Sequence, residues 1–298
     1  MEYIVSMDVG GTTIKSRTFT QVLTPVTAPQ TYPANSDKDP RTIVRTIAEI
    51  VTSQWGQIGD PDKRLLGVGF AFPGPFDYEN GISYMTGLSK YESIYAYPLG
   101  STLIDAFRKM PKLVLASDFG VRYTNDAAAF AVGEAIAGEG QGVHRLMVLT
   151  LGTGCGSTFL EDGKIVKGRD GIPEDGMVFH MPYKDKTVDD YISRRGIHRL
   201  AVKYALPPDV DVKGWAEMKE AGALFHKFGQ MLGEVIILYG RKFSPDLVIL
   251  GGNIAKAYPM FETGMRSVPG MESVCVSVSA NMEQSALLGA ASLISRMV

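Results

Sequence analysis

Apolar residues in the first part of the chain recur with the two-residue period of strands and then with the period of a helix. The helix has the clearest signal, because Asp39 and Pro40 form a start signal and apolar residues at helical spacing follow as far as Trp55. It is predicted over residues 40–55. Strands are predicted around it at residues 3–8, at 14–19, within 22–32 and at 65–72.

The succession of strand, glycine-rich turn and strand occurs a second time, about 140 residues further on. Residues 146–151 lead into a Gly152–Gly154 turn, and residues 157–160 run back to a hairpin turn at Asp162 and Gly163. Further helices are predicted at 99–109, 127–137, about 213–241 and from about 283, and further strands at 246–250 and near 274–278. Duplicated sets of strands and helices predict an α/β protein of two domains with a central cleft.

Composition agrees with an ordinary globular protein and excludes several classes. The chain has 298 residues, of which 45% are hydrophobic and 21% charged, and its net charge of -2 gives no reason to expect a nucleic-acid partner. No apolar run reaches membrane-spanning length, and the N-terminus does not resemble a signal peptide. Two distant cysteines, Cys155 and Cys275, are typical of a reducing compartment, so a cytoplasmic location is expected.

The first glycine turn carries candidate phosphate-binding chemistry in the sequence DVGGTTIK at residues 8–15. Gly10 and Gly11 allow the backbone to approach a phosphate closely, and Thr12 and Thr13 can donate hydrogen bonds to it. Asp8, at the end of the strand, can hold Mg²⁺ through water. The alternative is a tight hairpin turn that needs glycine for its geometry alone.

Two further glycine-rich turns offer similar chemistry. Gly152, Thr153 and Gly154 can cradle phosphates, and Gly251, Gly252 and Asn253 follow an apolar strand where a flat ring could pass close to the backbone. Each could equally be an ordinary turn after a strand.

Asn125 and Asp126 stand at the start of a predicted helix. The structural interpretation is a helix cap, and the functional one is that Asp126 is a general base for a hydroxyl group.

The ordered set of motifs resembles the ROK family of sugar kinases, within the hexokinase–actin–Hsp70 superfamily. The matching segments, in family order, are DVGGTTIK at 8–15, FPGPFD at 72–77, NDAAAFAVGE at 125–134, LGTGCGS at 151–157, ILGGN at 249–253 and ALLGAA at 286–291. The resemblance implies two ribonuclease-H-like (actin-like ATPase) domains. They would comprise residues 1–116, with the last helix at 284–298 packed on them, and residues 117–283.

The resemblance also implies an ATP:sugar phosphotransferase that uses ATP and Mg²⁺ on a hexose or amino sugar and forms a homodimer. Asp126 would be the catalytic base and Asp8 would lie near Mg²⁺. The residues implied along the phosphates are Gly10, Gly11, Thr12, Thr13, Lys15, Gly152, Thr153 and Gly154. Those implied beside adenosine are Gly251, Gly252 and Asn253, and those on the sugar side are Pro73, Gly74, Asn125 and Glu174.

The chain departs from the family pattern at several places. Met177 stands where the family has a histidine, and the cysteine-rich zinc segment is missing, so no zinc is expected. His180 is near that segment and is interpreted as structural, with substrate contact as the alternative. Lys90, Tyr91 and Glu92 occupy the sugar-side loop, where they either supply specificity or form a solvated surface.

Three other functions compete with the kinase. A sugar-responsive transcriptional regulator would carry an N-terminal helix-turn-helix, for which a first strand at residue 3 leaves no room. A sugar-binding protein without catalysis remains open because of Met177 and the altered loop. Another ATPase of the superfamily is disfavoured by the paired PG and ND segments.

Overall fold

The computed structural model of the chain describes residues 1–87 and 89–296. These residues divide into two compact units: Met1–Gly133 together with the described residues from Glu283 onward, and Glu134–Met282. Within the described ranges, no helix is both long enough and apolar enough to cross a membrane.

The first unit is built on a five-stranded mixed sheet. Its elements in chain order are β1 (Glu2–Val9), β2 (Thr13–Thr20), β3 (Gln30–Pro33), α1 (Pro40–Gly56), β4 (Arg64–Phe72), β5 (Phe76–Asp77), β6 (Ile82–Ser83), a 3-10 helix (Glu92–Ile94), α2 (Leu99–Arg108), β7 (Leu115–Asn125) and α3 (Asp126–Ala137). The strand order is β3-β2-β1-β4-β7, in which β2 is antiparallel to both of its neighbours and β1, β4 and β7 are parallel. β5 and β6 form a separate hairpin.

The second unit repeats this arrangement. Its strands and helices are β8 (Arg145–Leu151), β9 (Cys155–Glu161), β10 (Lys164–Val166), β11 (Pro182–Tyr183), β12 (Lys186–Thr187), α4 (Val188–Tyr191), α5 (Arg194–Lys203), α6 (Val212–Ala216), α7 (Gly222–Gly240), β13 (Leu247–Gly251), α8 (Tyr258–Arg266) and β14 (Val276–Val278). Three 3-10 helices lie at Lys219–Ala221, Ile254–Ala257 and Met271–Ser273. The sheet order β10-β9-β8-β13-β14 has the same pattern of parallel and antiparallel neighbours as the first sheet, which confirms the predicted duplication.

Local signals explain the best-predicted elements. The side chain of Asp39 accepts hydrogen bonds from the backbone of Arg41 and Thr42 at 3.0 and 3.1 Å, and α1 begins at Pro40 as predicted. Asp162 and Gly163 have φ angles of 50° and 74°, as a two-residue hairpin with a primed turn requires.

The last helix, α9 (Met282–Ser292), covers one face of the first sheet. In β1, Val5 and Met7 belong to the apolar cluster that includes residues of α1 and α2, whereas Ile4 packs with Leu287 and Ala291 of α9. This alternation is the two-residue period of a strand that is buried on both faces.

Glycines let α9 approach its neighbours closely. A methyl group added to Gly289 would lie 1.8 Å from the carbonyl oxygen of Ala129 in α3, and one added to Gly69 in β4 would lie 2.0 Å from the carbonyl oxygen of Ala290. Because neither position has room for a side chain, these glycines hold α9 against both α3 and the sheet.

The division between the units falls after Gly133, not near residue 117. The reason is that β7 pairs with β4 as far as Asn125, and the first half of α3 packs on α9. Residues 117–133 therefore lie in the first unit.

Three predicted elements differ in extent from the structure. The helical region predicted over 213–241 is interrupted after α6, where the indole of Trp215 is buried and donates to the carbonyl oxygen of Pro207 at 3.0 Å. The third strand covers only Gln30–Pro33, after a turn at Leu23 with a φ of 63°. The last helix ends at Ser292, and residues 297–298 lie outside the described residues.

Candidate active site

The glycine turn of the first unit joins β1 to β2. The N–H of Gly10 donates to the carbonyl oxygen of Thr13 at 2.9 Å, and a methyl group on Gly10 would stand 2.9 Å from that same oxygen. Glycine is therefore required by the turn itself, as the structural interpretation held. Thr12 and Thr13 are exposed, so their hydroxyl groups are accessible to a ligand.

Two carboxyl groups lie at the same end of the parallel strands β1 and β7, which are separated by β4, beside this turn. In the sheet Asp8 pairs with Ala71 of β4, which pairs in turn with Thr124 of β7, and Asp126 begins α3 two residues later. Burial and then the charge of Asp126 raise the pKa of Asp8 to about 6, while Lys15 opposes this shift. Lys15 also forms an ion pair with Glu283 of α9 at 3.2 Å.

Asp126 combines accessibility with a raised proton affinity. Its side chain is exposed to water, yet the protein around it displaces enough solvent to raise the pKa of its carboxyl group. The N–H of Ala127, which donates to Oδ1 at 2.9 Å, and the charge of Lys90 both oppose this shift. Burial is the first cause of the raised pKa of both carboxyl groups, and the charge of Asp126 adds to the shift of Asp8. A cation bound near Asp8 through water would offset that shift, so the Asp8 carboxylate is compatible with the Mg²⁺ that the sequence predicts beside it.

Asn125 connects the helix start to a tyrosine that the sequence analysis did not include. Its Oδ1 accepts from the N–H groups of Ala127 and Ala128 at 3.0 and 3.3 Å, which caps α3, and its Nδ2 donates to the hydroxyl of Tyr78 at 3.2 Å. Tyr78 donates in turn to the carbonyl oxygen of Phe72 at 3.2 Å. The cap and the predicted polar site thus use different atoms of the same amide.

The segment around Pro73 and Gly74 lies at the same place. Pro73 is buried, and a methyl group on Gly74 would be 3.1 Å from the hydroxyl of Tyr78. The first unit therefore brings together Asp8, Gly74, Asn125 and Asp126 with the glycine turn. Tyr78 follows the FPGPFD motif directly, and that position was its only sequence signal.

The second unit has its own glycine turn, between β8 and β9. The N–H of Gly152 donates to the carbonyl oxygen of Gly154 at 3.0 Å, and Thr153 is exposed at the tip. Asp189 supports the turn, because its Oδ1 accepts from the N–H of Cys155 at 2.8 Å and its Oδ2 lies 3.1 Å from Arg195. Burial and the charge of Asp189 raise the pKa of the Cys155 thiol to about 12, so this buried side chain is an unreactive thiol that supports the turn by packing.

A cavity of about 630 Å³ opens beside this turn, entirely within the second unit. It contains three residues that the sequence analysis singled out, Gly152, Thr153 and Asn253. The remaining lining residues were not predicted, and they are Arg194, His198, Asp211, Val212, Lys213, Ala216, Ile254, Lys256 and Ala257. The volume falls in the range of small-molecule pockets.

His198 is the most unusual residue of this cavity. Its ring packs edge-on against Trp215 with centroids 4.8 Å apart, and within the described part of the chain its buried Nε2 has no hydrogen-bond partner. Burial first, and then the charge of Arg194, lower the pKa of His198. Gly252, next to Asn253, has a φ of 84° that a side chain would not tolerate.

Glu174 lies elsewhere in the second unit, on an exposed segment. Its carboxylate lies over Gly168, where an added methyl group would be 2.8 Å from Oε2. The N–H of Met177 donates to Asp175 at 2.9 Å, and Nδ1 of the exposed His180 is 3.7 Å from the same carboxyl group. In the described ranges no three His, Cys, Asp or Glu side chains form a metal-binding group, and the expectation of no zinc stays a prediction.

Solved structures similar to this chain identify the fold. A ROK hexokinase from Thermus thermophilus superposes with a TM-score of 0.76 and 21% identity over 98% of this chain and 97% of its own. A ROK family glucokinase from Streptomyces griseus, in complex with glucose and AMPPNP, gives 0.67 and 20% over 98% of both chains. These similarities confirm the predicted actin-like ATPase fold.

Two relatives are enzymes that act on sugars. A glucokinase of Thermotoga maritima is 28% identical over 99% of this chain and 98% of its own. An N-acetyl-D-glucosamine kinase of Vibrio parahaemolyticus is 28% identical over 88% of both chains. The sequence profile of the ROK family matches residues 4–297, and the chain therefore belongs to the ROK family.

Proposed function

We propose that the chain is an ATP-dependent, glucokinase-like sugar kinase that phosphorylates a hydroxyl group of a hexose or an amino sugar. The relatives named glucokinase and N-acetyl-D-glucosamine kinase support this reaction class. The observation that carries the proposal is the juxtaposition of an accessible Asp126 of raised pKa with the Asn125–Tyr78 pair and the Gly10–Gly11 turn.

Asp126 acts as the general base in this proposal. Its place at the start of α3 and the hydrogen bond from Ala127 hold the carboxylate in one orientation, and its raised pKa makes it a better proton acceptor than an ordinary aspartate. Asn125 Nδ2 and the Tyr78 hydroxyl offer polar contacts that would orient a sugar beside it. Positioning of this kind contributes most of the catalysis in phosphoryl transfer.

The glycine turns bind the phosphates. Gly10, Gly11 and Thr12 of the first unit, and Gly152, Thr153 and Gly154 of the second, form turns without bulky side chains. The N–H groups of Gly10 and Gly152 close the turns, so the exposed hydroxyls of Thr12 and Thr153 and the remaining backbone N–H groups would contact the phosphates. Mg²⁺, when bound, neutralises phosphate charge, and Asp8 would hold it through water.

The cavity of the second unit suits a nucleoside. Asn253 lines it, and among the lining residues the positively charged side chains of Arg194, Lys213 and Lys256 outnumber the single carboxylate of Asp211. This balance of charge favours an anionic ligand such as a nucleotide.

The decisive experiment measures sugar-stimulated ADP release with glucose, N-acetylglucosamine, N-acetylmannosamine and a polyol. We expect activity with at least one of these sugars, and Asp126→Asn should lower kcat by about 100-fold or more at unchanged thermal stability. Asp105→Asn, a change of an exposed aspartate in α2, is the matched control and should retain activity.

Turnover by Asp126→Asn at the wild-type rate would refute Asp126 as the base. Sugar binding without ADP release for any member of the panel would instead favour a sugar-binding or regulatory protein without catalysis.

A further inference from the structure

Lys90 lies across the glycine turn of the first unit. A methyl group built on Gly11 would be 2.9 Å from Cδ of Lys90 and 3.7 Å from its Cβ, so the aliphatic part of the side chain runs over Gly11. The side chain is half-buried. Among the residues that the structure describes, none gives the ammonium group a hydrogen bond or an ion pair. A half-buried cation without a partner suggests that a ligand supplies one.

Hydrogen bonds to the glycine turn hold the backbone that carries Lys90. The hydroxyl of Tyr91 donates to the carbonyl oxygen of Gly10 at 2.9 Å, and the N–H of Tyr91 donates to the carbonyl oxygen of Ser36 at 2.7 Å. The hydroxyl of Ser36 donates in turn to the carbonyl oxygen of Gly11. Ser36, Tyr91 and the turn thus form a closed set of contacts beside Lys90.

The residues on both sides of Lys90 have unusual backbone conformations. Ser89 and Tyr91 have φ angles of 55° and 57°, in the left-handed region that residues other than glycine rarely adopt. Such conformations persist only where surrounding contacts impose them, and they are concentrated at functional sites. The fold therefore fixes the position of Lys90 at a conformational cost.

The ammonium group of Lys90 also affects the ionisation of the Asp126 carboxyl group. Its charge favours the ionised form of Asp126, so it lies within electrostatic reach of that carboxylate while its stem crosses Gly11. A chemical group transferred from the phosphate turn to a hydroxyl beside Asp126 would therefore pass close to Lys90. The transferred phosphoryl group is such a group, and it is an anion.

We infer that Lys90 binds the phosphoryl group during its transfer from ATP to the sugar, as a further catalytic residue. This inference rests on the proposed function. The sugar hydroxyl oxygen forms a bond to the γ-phosphorus, and the bond from that phosphorus to the oxygen bridging it to the β-phosphate breaks. ADP keeps the electron pair of the broken bond, and the hydroxyl proton passes to Asp126. Lys90 donates hydrogen bonds to the non-bridging oxygens, where negative charge is concentrated.

The main competing role is recognition of an acidic substituent on the sugar. The position of the stem argues against it, because Lys90 lies over Gly11 of the phosphate turn, whereas the polar atoms proposed to orient the sugar belong to Asn125 and Tyr78. The two roles differ in how the rate depends on the sugar: a contact with the phosphoryl group matters for neutral and acidic sugars alike, whereas recognition of an acidic substituent matters only for acidic sugars.

The kinetic test replaces Lys90 by methionine, which keeps the length of the stem and removes the charge. We expect Lys90→Met to lower kcat with a neutral sugar by about 100-fold or more and to leave the sugar KM within about threefold. Lys90→Arg, which keeps the charge, should recover part of the rate. Lys38→Met is the matched control and should behave as wild type, because Lys38 is exposed near the same loop and pairs with Asp37 at 2.9 Å.

A binding test does not depend on turnover. Calorimetry with Mg²⁺ present compares AMPPNP, which has a γ-phosphoryl group, with ADP, which lacks one. We expect Lys90→Met to weaken AMPPNP binding by about tenfold and to leave ADP binding within about twofold of wild type.

The outcomes separate the two proposals. If wild type releases no ADP with any sugar, the proposed function fails, and the AMPPNP comparison still supports or refutes the contact of Lys90 with the γ-phosphoryl group. If wild type is active and Lys90→Met keeps both its kcat and its AMPPNP affinity, the role of Lys90 is refuted and the kinase stands. A loss confined to sugars with a carboxylate or phosphate substituent would also refute it, since Lys90 would then contact the acceptor.

Discussion

The hydroxyl of Tyr91 donates a hydrogen bond of 2.9 Å to the carbonyl oxygen of Gly10. Because burial raises the pKa of Tyr91, the hydroxyl remains a donor throughout the physiological pH range. The contact joins two distant segments of the first unit, the turn after β1 and the loop after β6.

Removing this hydroxyl tests the contact. Tyr91→Phe would leave the carbonyl oxygen of Gly10 without its donor, so we expect a loss of about 1 kcal/mol in the free energy of unfolding, measured by urea denaturation. Tyr95→Phe, at an exposed tyrosine of the same loop, is the control and should leave stability unchanged. Equal stability of the two variants would show that the contact contributes nothing.

Gly289 tests the close packing of α9. An added methyl group would lie 1.8 Å from the carbonyl oxygen of Ala129, so Gly289→Ala must displace α9 from α3. We expect a loss of about 3 kcal/mol in the free energy of unfolding. Gly56→Ala in α1 is a matched helical control with no atom within 4 Å of the added methyl group, and it should be neutral or stabilising by up to about 1 kcal/mol. Equal effects of the two changes would contradict the packing of α9 described above.

The cavity of the second unit makes a prediction about nucleotide binding. Ala216 lines it, so Ala216→Trp should fill part of its volume and weaken ADP binding by about tenfold or more in calorimetry. Ala223→Trp places the same side chain on an exposed position of α7 and should bind ADP like wild type. Unchanged ADP affinity in Ala216→Trp would argue that the nucleotide binds elsewhere.

The histidines give a prediction about pH. A hydrogen bond to Asp162 at 2.7 Å and the charge of that carboxylate raise the pKa of His144 above 6.5, whereas burial and Arg194 lower the pKa of His198 below it. NMR titration should therefore show His198 losing its proton at a lower pH than His144. Because the folded pKa of His144 is raised, its stabilising contribution is complete below pH 6.5 and is lost as the pH rises through the folded value.

The origin of the His144 shift can be tested separately. Asp162→Asn removes the charge and should move the His144 titration down toward the ordinary value while leaving His198 in place. A His144 pKa that does not respond to this change would mean that the ion pair is absent in solution.

The elements that the sequence predicts well are those with local signals. α1 has its cap and its apolar stripe within one segment, and the Asp162–Gly163 turn needs only its own two residues. β7 (Leu115–Asn125) was missed because polar and glycine residues interrupt its apolar alternation. Its pairing with β4 stabilises it as a strand, and that contact arises only in the folded sheet.

The residues of the candidate site likewise divide into those with a local sequence signal and those placed by tertiary contacts. Gly10, Gly11 and Gly152 are predictable because glycines in a turn after an apolar strand can be recognised in the sequence itself. Tyr78 and His198 are not, since each reaches its place through tertiary structure: Tyr78 by contact with Asn125, and His198 on a helix packed beside Trp215. For Lys90 the sequence left specificity and a solvated surface open, and only the fold revealed its position over Gly11.

The return of α9 to the first unit has a consequence for synthesis of the chain. The second unit is continuous from Glu134 to Met282, so all of its residues are available to fold before α9 is complete. The first unit is different, because Ile4, Leu66 and Ala116 can be covered only after Leu287 and Ala291 of α9 have been translated. On the ribosome, the half of the protein that is translated first is therefore the half that finishes folding last.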